Sequence, residues 1–303
     1  MKNHRGRIRL TPAEKGYQVV LYVIISLLLL LSVFPLFYVV CLSFTSQQEL
    51  YRRGMLMIVP YKPTLTAYRQ ILGYSTTYVR AFGVSVLRTF VGTVCTISMT
   101  LFLGYGVSRK DIPGRRVILF LVMVTVLYGG GLIPTFLTVQ GTGLLDTFWV
   151  MVIPGLVDSW SVLVFRQFFI GLPDEIEEAA YIDGCGETRM LFNIVLPMSL
   201  PVLAALSLFA AVGHWNSWFD ALIYLPSRPD LQPMQLLLRN LFVDANLGFK
   251  VGGIEVFDLN ATTSSPTSVR MAVTVLGTLP ILCVYPFLQK YFVKGVYVGA
   301  VKG

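Results

Sequence analysis

Apolar residues gather into six long stretches along the chain, and polar connections separate them. A helix needs roughly 20 apolar residues to cross the hydrocarbon core of a membrane, and most of the stretches reach about that length. The pattern therefore predicts an all-α fold, a polytopic membrane helical bundle of about six transmembrane helices. The predicted spans are Tyr17–Phe44, Ala81–Val107, Val117 to the glycine run 129–131, Thr147–Ile170, Met198–Leu225 and Ser268–Phe292.

The third span is the least regular of the six. Only about 12 apolar residues lie between Val117 and the glycine run 129–131, fewer than the roughly 20 that a crossing needs. Leu132–Val139 is apolar again, although Pro134 interrupts it. This second piece is either a short interfacial helix on the outer surface or the second half of a broken span.

Composition agrees with a lipid environment. The 303 residues are 55% hydrophobic and 13% charged, whereas soluble domains carry about 25% charged residues. The net charge of +8 does not indicate nucleic-acid binding, because the basic residues flank apolar spans. The four cysteines form no C-x-x-C pair, so we expect small buried side chains and no metal site. They are Cys41, Cys95, Cys185 and Cys283.

Lysine and arginine near the spans predict the orientation, because cytoplasmic connections carry an excess of both. Basic residues are frequent in the N-terminal tail, in the connection that contains Arg109, and in the C-terminal tail. With six spans these segments share one side, so both termini are predicted to be cytoplasmic. The bias is incomplete, since the first outer connection, residues 45–80, also contains five basic residues: Arg52, Arg53, Lys62, Arg69 and Arg80.

One strongly acidic connection, residues 171–197, follows the fourth span and is hereafter the acidic loop. Pro173 suits a first helical position, and acidic residues after it complement the positive end of the helix dipole. Gly184 suits the left-handed position that ends a helix. A second short helix is predicted from Glu187 and should end before Pro197. The pattern predicts a helix–turn–helix beneath the membrane.

The centre and the rim of the acidic loop differ in character. The centre is small, at Ala179 and Ala180, so another surface could approach closely. The rim is acidic and would favour a basic partner. Charge runs are usually solvated faces, so the residues alone leave a plain solvated connector equally open.

The spacing within the loop resembles a known motif. Glu178-Ala179-Ala180 is followed by Gly184 and then by Ile194-x-Leu196-Pro197. This arrangement resembles the "EAA" coupling loop of permease subunits of ABC importers, and residues 82–292 are similar to their transport core. The segments 130–135, 215–220 and 294–303 resemble the maltose-type second permease, in particular permeases for polysaccharide-derived oligosaccharides.

The resemblance implies a type I ABC importer transmembrane domain, which is not an enzyme. Its expected partners are a second permease subunit, two ATPase subunits, an extracytoplasmic sugar-binding protein and membrane lipid, and its expected substrate is an oligosaccharide. It implies a multi-pass protein of the bacterial plasma (inner) membrane. It divides the chain into residues 1–80, the core 81–292 and the tail 293–303. The implied ATPase contacts are Glu178, Ala179, Ala180, Asp183, Gly184, Gly299, Lys302 and Gly303.

No cofactor is expected in this chain. The sequence lacks the Walker A pattern G-x-x-x-x-G-K-[ST], so ATP and Mg²⁺ are expected on the partner ATPase subunits. Polar groups inside a span are functional candidates, since burying them in lipid is costly. The candidates for pathway residues are His214, Trp215, Asn216, Trp218 and Asp220, with Arg88 and Ser85 as weaker ones. Each could instead be structural: the polar residues as a hydrogen-bonded cluster, the tryptophans as interfacial anchors.

Two other classes of membrane protein were weighed. A secondary transporter driven by an ion gradient would show inverted repeats and charged midspan groups, and the sequence has no evident repeat. An integral membrane enzyme would need a base and a nucleophile that converge near one surface. Only His214 and Asp220 could begin such a site.

Overall fold

The computed structural model describes residues 11–54, 58–74, 76–243, 250–251, 254–255 and 265–300. These residues are mostly helical, as the apolar pattern predicts. The helices are α1 Pro12–Ser43, α2 Gln47–Arg53, α3 Thr66–Tyr74, α4 Thr76–Ser108, α5 Arg115–Leu127, α6 Leu132–Gly141, α7 Ser159–Ile170, α8 Asp174–Ile182, α9 Glu187–Met190, α10 Leu196–Met198, α11 Leu200–Asn216, α12 Phe219–Tyr224, α13 Met234–Val243 and α14 Pro266–Ala300.

Other elements are short. Three 3₁₀ turns lie at Phe148–Met151, Ile153–Gly155 and Pro229–Leu231. Two strands of two residues each, β1 Lys250–Val251 and β2 Ile254–Glu255, pair antiparallel in the predicted outer connection. They are a small departure from the all-α prediction.

The chain divides into two compact units. The first comprises Met1–Gln70 with Ala261–Val275, and the second comprises Ile71–Asn260 with Leu276–Gly303. Helix α1 begins with a capping box, in which Thr11 and Glu14 satisfy each other's free backbone N–H groups. Most of its apolar side chains are exposed, as in a helix whose solvent is lipid.

The second unit is built around α4, which packs along α7 and α11. The core between them is apolar and aromatic. Gly104 lets α4 and α7 approach closely, because a Cβ at this position would lie 2.8 Å from Phe165 Cβ. The core comprises Ile97, Leu101, Tyr105, Phe165, Phe169, Ala180, Met190, Leu191, Val195 and Leu206.

Up to five elements of the described chain are long and apolar enough to span a membrane, if each bent pair of helices counts as one span. Three are single helices, namely α1, α4 and the first part of α14. Two are bent pairs: Phe148–Gly155 with α7, bent by 48°, and Glu187–Met198 with α11, bent by 81°. The predicted third span is the one that falls short, since α5 has 13 residues and ends before the glycine run.

The second helix of the acidic loop does not end before Pro197, so that prediction is wrong. A π-helical turn at Leu191–Val195 connects α9 to α10, and Pro197 lies within α10. Proline has no N–H to donate, and a π-helical turn is one local change that often accompanies a disturbed helical ladder. The chain bends after Met198, so the loop continues directly into α11.

Candidate functional site

The first helix of the acidic loop is α8, and it has the predicted ends. Pro173 occupies the N-cap, one residue before its predicted position. At the other end Gly184 adopts a left-handed conformation with φ of 75°. The N–H groups of Gly184 and Cys185 donate to the carbonyls of Tyr181 and Ala180 at 3.0 and 2.9 Å. This pair of bonds is a Schellman motif, and it fixes the direction in which the chain leaves α8.

The outward surface of α8 differs from the prediction at one alanine. Ala180 is 4% exposed and belongs to the core described above, and its predicted contact with an ATPase subunit stays a prediction. Glu178, Ala179 and Asp183 are exposed as expected. Beside them Ile182 is 86% exposed. The accessible surface of α8 therefore combines an acidic rim with an isoleucine that the sequence analysis missed.

A cluster of polar side chains joins the end of α4 to the acidic loop. Arg109 forms ion pairs with Glu177, and with Glu187 at 3.6 Å. It also donates to the hydroxyl of Tyr105 and stacks over that ring at 4.6 Å. The Tyr105 hydroxyl donates in turn to Glu187 at 3.0 Å. The Arg109 cluster thus holds both helices of the loop to one point beside α4.

Tyr181 extends this cluster to the exposed side of α8. Its hydroxyl donates to Glu187, and this hydrogen bond raises the pKa of Tyr181 to about 12. The phenol therefore stays protonated and keeps donating near neutral pH. Sequence analysis missed Arg109 and Glu187 as partners, because they are far apart in the chain and only folding brings them together.

The structure describes only part of the C-terminal tail that was predicted to contact the ATPase. Gly299 lies in the last turn of α14, while Lys302 and Gly303 lie outside the described residues. Their predicted role stays a prediction.

The second group of candidates surrounds an ion pair between α4 and α12. Arg88 is 2% exposed and pairs with Asp220. It also donates to the carbonyl of Ser217 at 3.1 Å. Breaking a buried pair leaves an uncompensated charge, which is costly in a medium of low polarity. Arg88 therefore pairs with a neighbouring side chain inside the protein.

His214 and Asp220 line one cavity of about 490 Å³ together with Arg88. The ring of His214 contacts Thr96, whose Oγ1 is 3.3 Å from Nε2. Ser217 lines the same cavity. The structure thus brings three of the predicted polar candidates, His214, Asp220 and Arg88, together around an open volume.

The other candidates lie away from this cavity. Trp215 is 5% exposed, and its indole N–H donates to the carbonyl of Gly277 at 2.8 Å, a structural role. Trp218 packs under the guanidinium of Arg239 at 5.4 Å. Asn216 is exposed at the end of α11.

Sequence analysis missed most of the cavity lining, including Asp158 and Trp160. Asp158 caps α7 by accepting from the Ser161 N–H at 3.1 Å. The sequence did contain a signal for Asp158, because an aspartate inside a predicted apolar span is a functional candidate by default.

Metal ligands and cysteines were the remaining candidates for chemistry among the described residues. No group of three or more histidine, cysteine, aspartate or glutamate side chains could hold a metal ion in that part of the chain. The four cysteines are free thiols, and Cys41 is buried while Cys283 is exposed.

Comparison with known proteins identifies the family of this chain. Residues 13–297 match the family described as binding-protein-dependent transport system inner membrane component. The chain is 36% identical to the polygalacturonan/rhamnogalacturonan transport system permease protein YtcP of Bacillus subtilis (strain 168), over 95% of this chain and 98% of that one. It is 28% identical to the arabinooligosaccharides transport system permease protein AraQ of the same organism, over 98% and 100%.

Comparison with a solved structure agrees with the family match. The chain superposes with a TM-score of 0.85 and 26% identity on a chain of a bacterial ABC transporter involved in the import of the acidic polysaccharide alginate, covering 94% of this chain and 100% of that one. The overall fold of this chain therefore matches the fold of that transporter chain. This chain is a member of the family of binding-protein-dependent transport system inner membrane components.

Proposed function

We propose that this chain is a permease subunit of an ATP-driven importer of oligosaccharides and forms half of the pathway across the plasma membrane. Family membership supports the transport role. Relatives named for transport of polygalacturonan/rhamnogalacturonan and of arabinooligosaccharides support the substrate class. An ion-gradient-driven transporter has no support among these relatives.

The observation that carries the coupling role is the exposed surface of α8. Glu178, Ala179 and Ile182 are accessible and lie at helical spacing, so they share one face. An exposed isoleucine with an acidic rim suits docking into a cleft that has an apolar floor and basic edges. We assign that cleft to an ATPase subunit, on the side of the membrane where both termini lie.

The Arg109 cluster explains how movement of α8 would reach the membrane. Because Arg109 follows α4 directly and binds Glu177 and Glu187, a displacement of the loop pulls on the end of α4. The continuous helix from Glu187 to Met198 transmits the same displacement to α11. ATP and the loaded binding protein would each favour one conformation, and that difference in affinity is the coupling.

The test is assembly with ATPase subunits. This chain would be co-expressed with its partner permease and the ATPase, purified by a tag on this chain, and assayed for ATP hydrolysis in nanodiscs. Native protein is expected to retain the ATPase, and Glu178→Lys together with Ile182→Asp should lose it.

The control is Asp111→Lys, which makes the same acid-to-lysine change as Glu178→Lys at an exposed residue of another connection. It should retain the ATPase. Equal retention by all variants would contradict the assignment of α8, and no retention by native protein would contradict the permease role itself.

A further inference from the structure

The cavity beside the Arg88–Asp220 pair has features of a sugar site that the proposed function does not use. Its volume of about 490 Å³ falls within the range of about 300–1,000 Å³ typical of small-molecule sites. It lies within the second unit, between α4, α7 and α11. Its walls combine aromatic rings with a few polar groups, as ligand sites do.

Two aromatic rings line the cavity together. Trp160 is 53% exposed and Phe209 is 54% exposed, and their ring centroids are 6.4 Å apart. A sugar ring presents a face of C–H groups, which is buried favourably on an indole. Trp160 thus provides a platform on which a sugar ring can stack.

Hydrogen-bonding groups surround this platform. Asp158 is exposed and uses one carboxylate oxygen, Oδ2, to cap α7. Within the described part of the chain Oδ1 accepts no hydrogen bond, so it is open to a hydroxyl. Arg88 Nε is buried and has no hydrogen-bond partner among the described residues. Because this N–H is shielded from the cavity, we assign the contact with a sugar hydroxyl to the Asp158 carboxylate.

The charges of the lining select against one class of sugar. The charged lining residues are Arg88, Asp158 and Asp220, which sum to one negative charge. The one cation among them is neutralised by Asp220. A uronate carboxylate would therefore meet net repulsion, and repulsion is strong where water is scarce. Hydroxyl groups of an uncharged sugar would instead donate to the aspartates.

We propose that this cavity is a sugar subsite of the translocation pathway, with Trp160 as its stacking platform, and that it accepts uncharged sugar units in preference to uronates. The inference rests on the proposed function and refines its substrate class. The proposed preference applies to the sugar units that contact this chain. The partner permease contributes its own surface to the pathway.

The test measures sugar binding to the assembled transporter, with both permeases and the ATPases in nanodiscs and without the binding protein. The probes are arabinotriose, which is uncharged, and trigalacturonate, which is acidic. Native transporter is expected to bind arabinotriose more tightly. Trp160→Ala should raise its Kd about tenfold, the loss of roughly one good aromatic contact, and Trp160→Phe should restore most of the affinity.

Matched variants separate the explanations. Trp149 is 49% exposed but does not line the cavity, so Trp149→Ala should leave the Kd unchanged. Asp158→Asn retains the capping oxygen and removes the charge, so it should tighten trigalacturonate binding. Tighter binding of trigalacturonate by native transporter, or an unchanged Kd in Trp160→Ala, would overturn the inference. ATPase activity measured in the same nanodiscs shows separately whether the transporter has assembled, and its absence would overturn the proposed function as well.

Discussion

Arg109→Gln tests whether the acidic loop is held to the end of α4 by the Arg109 cluster. The substitution removes the charge and keeps a side chain of similar length. It leaves Glu177 and Glu187 without their shared cation, and it removes the contact with the ring of Tyr105.

The magnitude follows from the exposure of the partners. Hydrogen bonds to charged groups contribute about 1.5–3 kcal/mol, whereas exposed ion pairs contribute about 0–1 kcal/mol. The Arg109 side chain is 15% exposed, Glu177 is 23% exposed and Glu187 is 55% exposed. The pair with Glu177 therefore dominates, and we expect a total loss of about 2 kcal/mol. Since 1.4 kcal/mol is a factor of ten, the detached loop should become roughly 30-fold more populated.

Hydrogen exchange measures this population directly, because local opening exposes the amides of the element that opens. The amides of α8 should exchange roughly 30-fold faster in Arg109→Gln, provided that they exchange by local opening. Stimulation of ATP hydrolysis by the binding protein should weaken while basal hydrolysis persists. The control is Arg116→Gln, at an exposed arginine in the first turn of α5, and it should change neither. Unchanged exchange in α8 of Arg109→Gln would refute the anchoring role.

Two further predictions concern the core around α4. Gly104→Ala should destabilise the protein by about 1–3 kcal/mol through overpacking against Phe165, whereas Gly83→Ala in the same helix meets no atom within 4 Å and should be neutral or slightly stabilising. Thermal unfolding in detergent compares the two variants, and equal unfolding midpoints would contradict the close approach of α4 and α7. Arg88→Met should lower the stability of the folded protein by about 3 kcal/mol because Asp220 is left unpaired. Adding Asp220→Leu should recover part of that stability. A double variant that is no more stable than Arg88→Met would count against the ion pair.

Local chemistry made some features predictable. The turn at Gly184 followed from the left-handed conformation that glycine adopts easily, and the structure confirms it. The long apolar stretches likewise predicted α1, α4 and α14. Both depend on neighbouring residues in the chain, which the sequence shows directly.

Other features depend on tertiary contacts and could not be read from neighbours. Ala180 was predicted to be accessible, but it faces the core because α8 packs against α7 and the π-helical turn. Pro197 was expected to end a helix, whereas the chain accommodates it beside that turn. The Arg109 cluster joins positions separated by 68 residues. No periodicity in the sequence indicates such a contact.

The most direct test of the central claim is uptake of labelled arabinotriose into proteoliposomes that contain the complete transporter. We expect uptake only when ATP is supplied to the ATPase side and the binding protein to the other, and an ionophore that collapses ion gradients should not reduce it. Uptake that proceeds without ATP and stops when the ion gradient collapses would contradict the account.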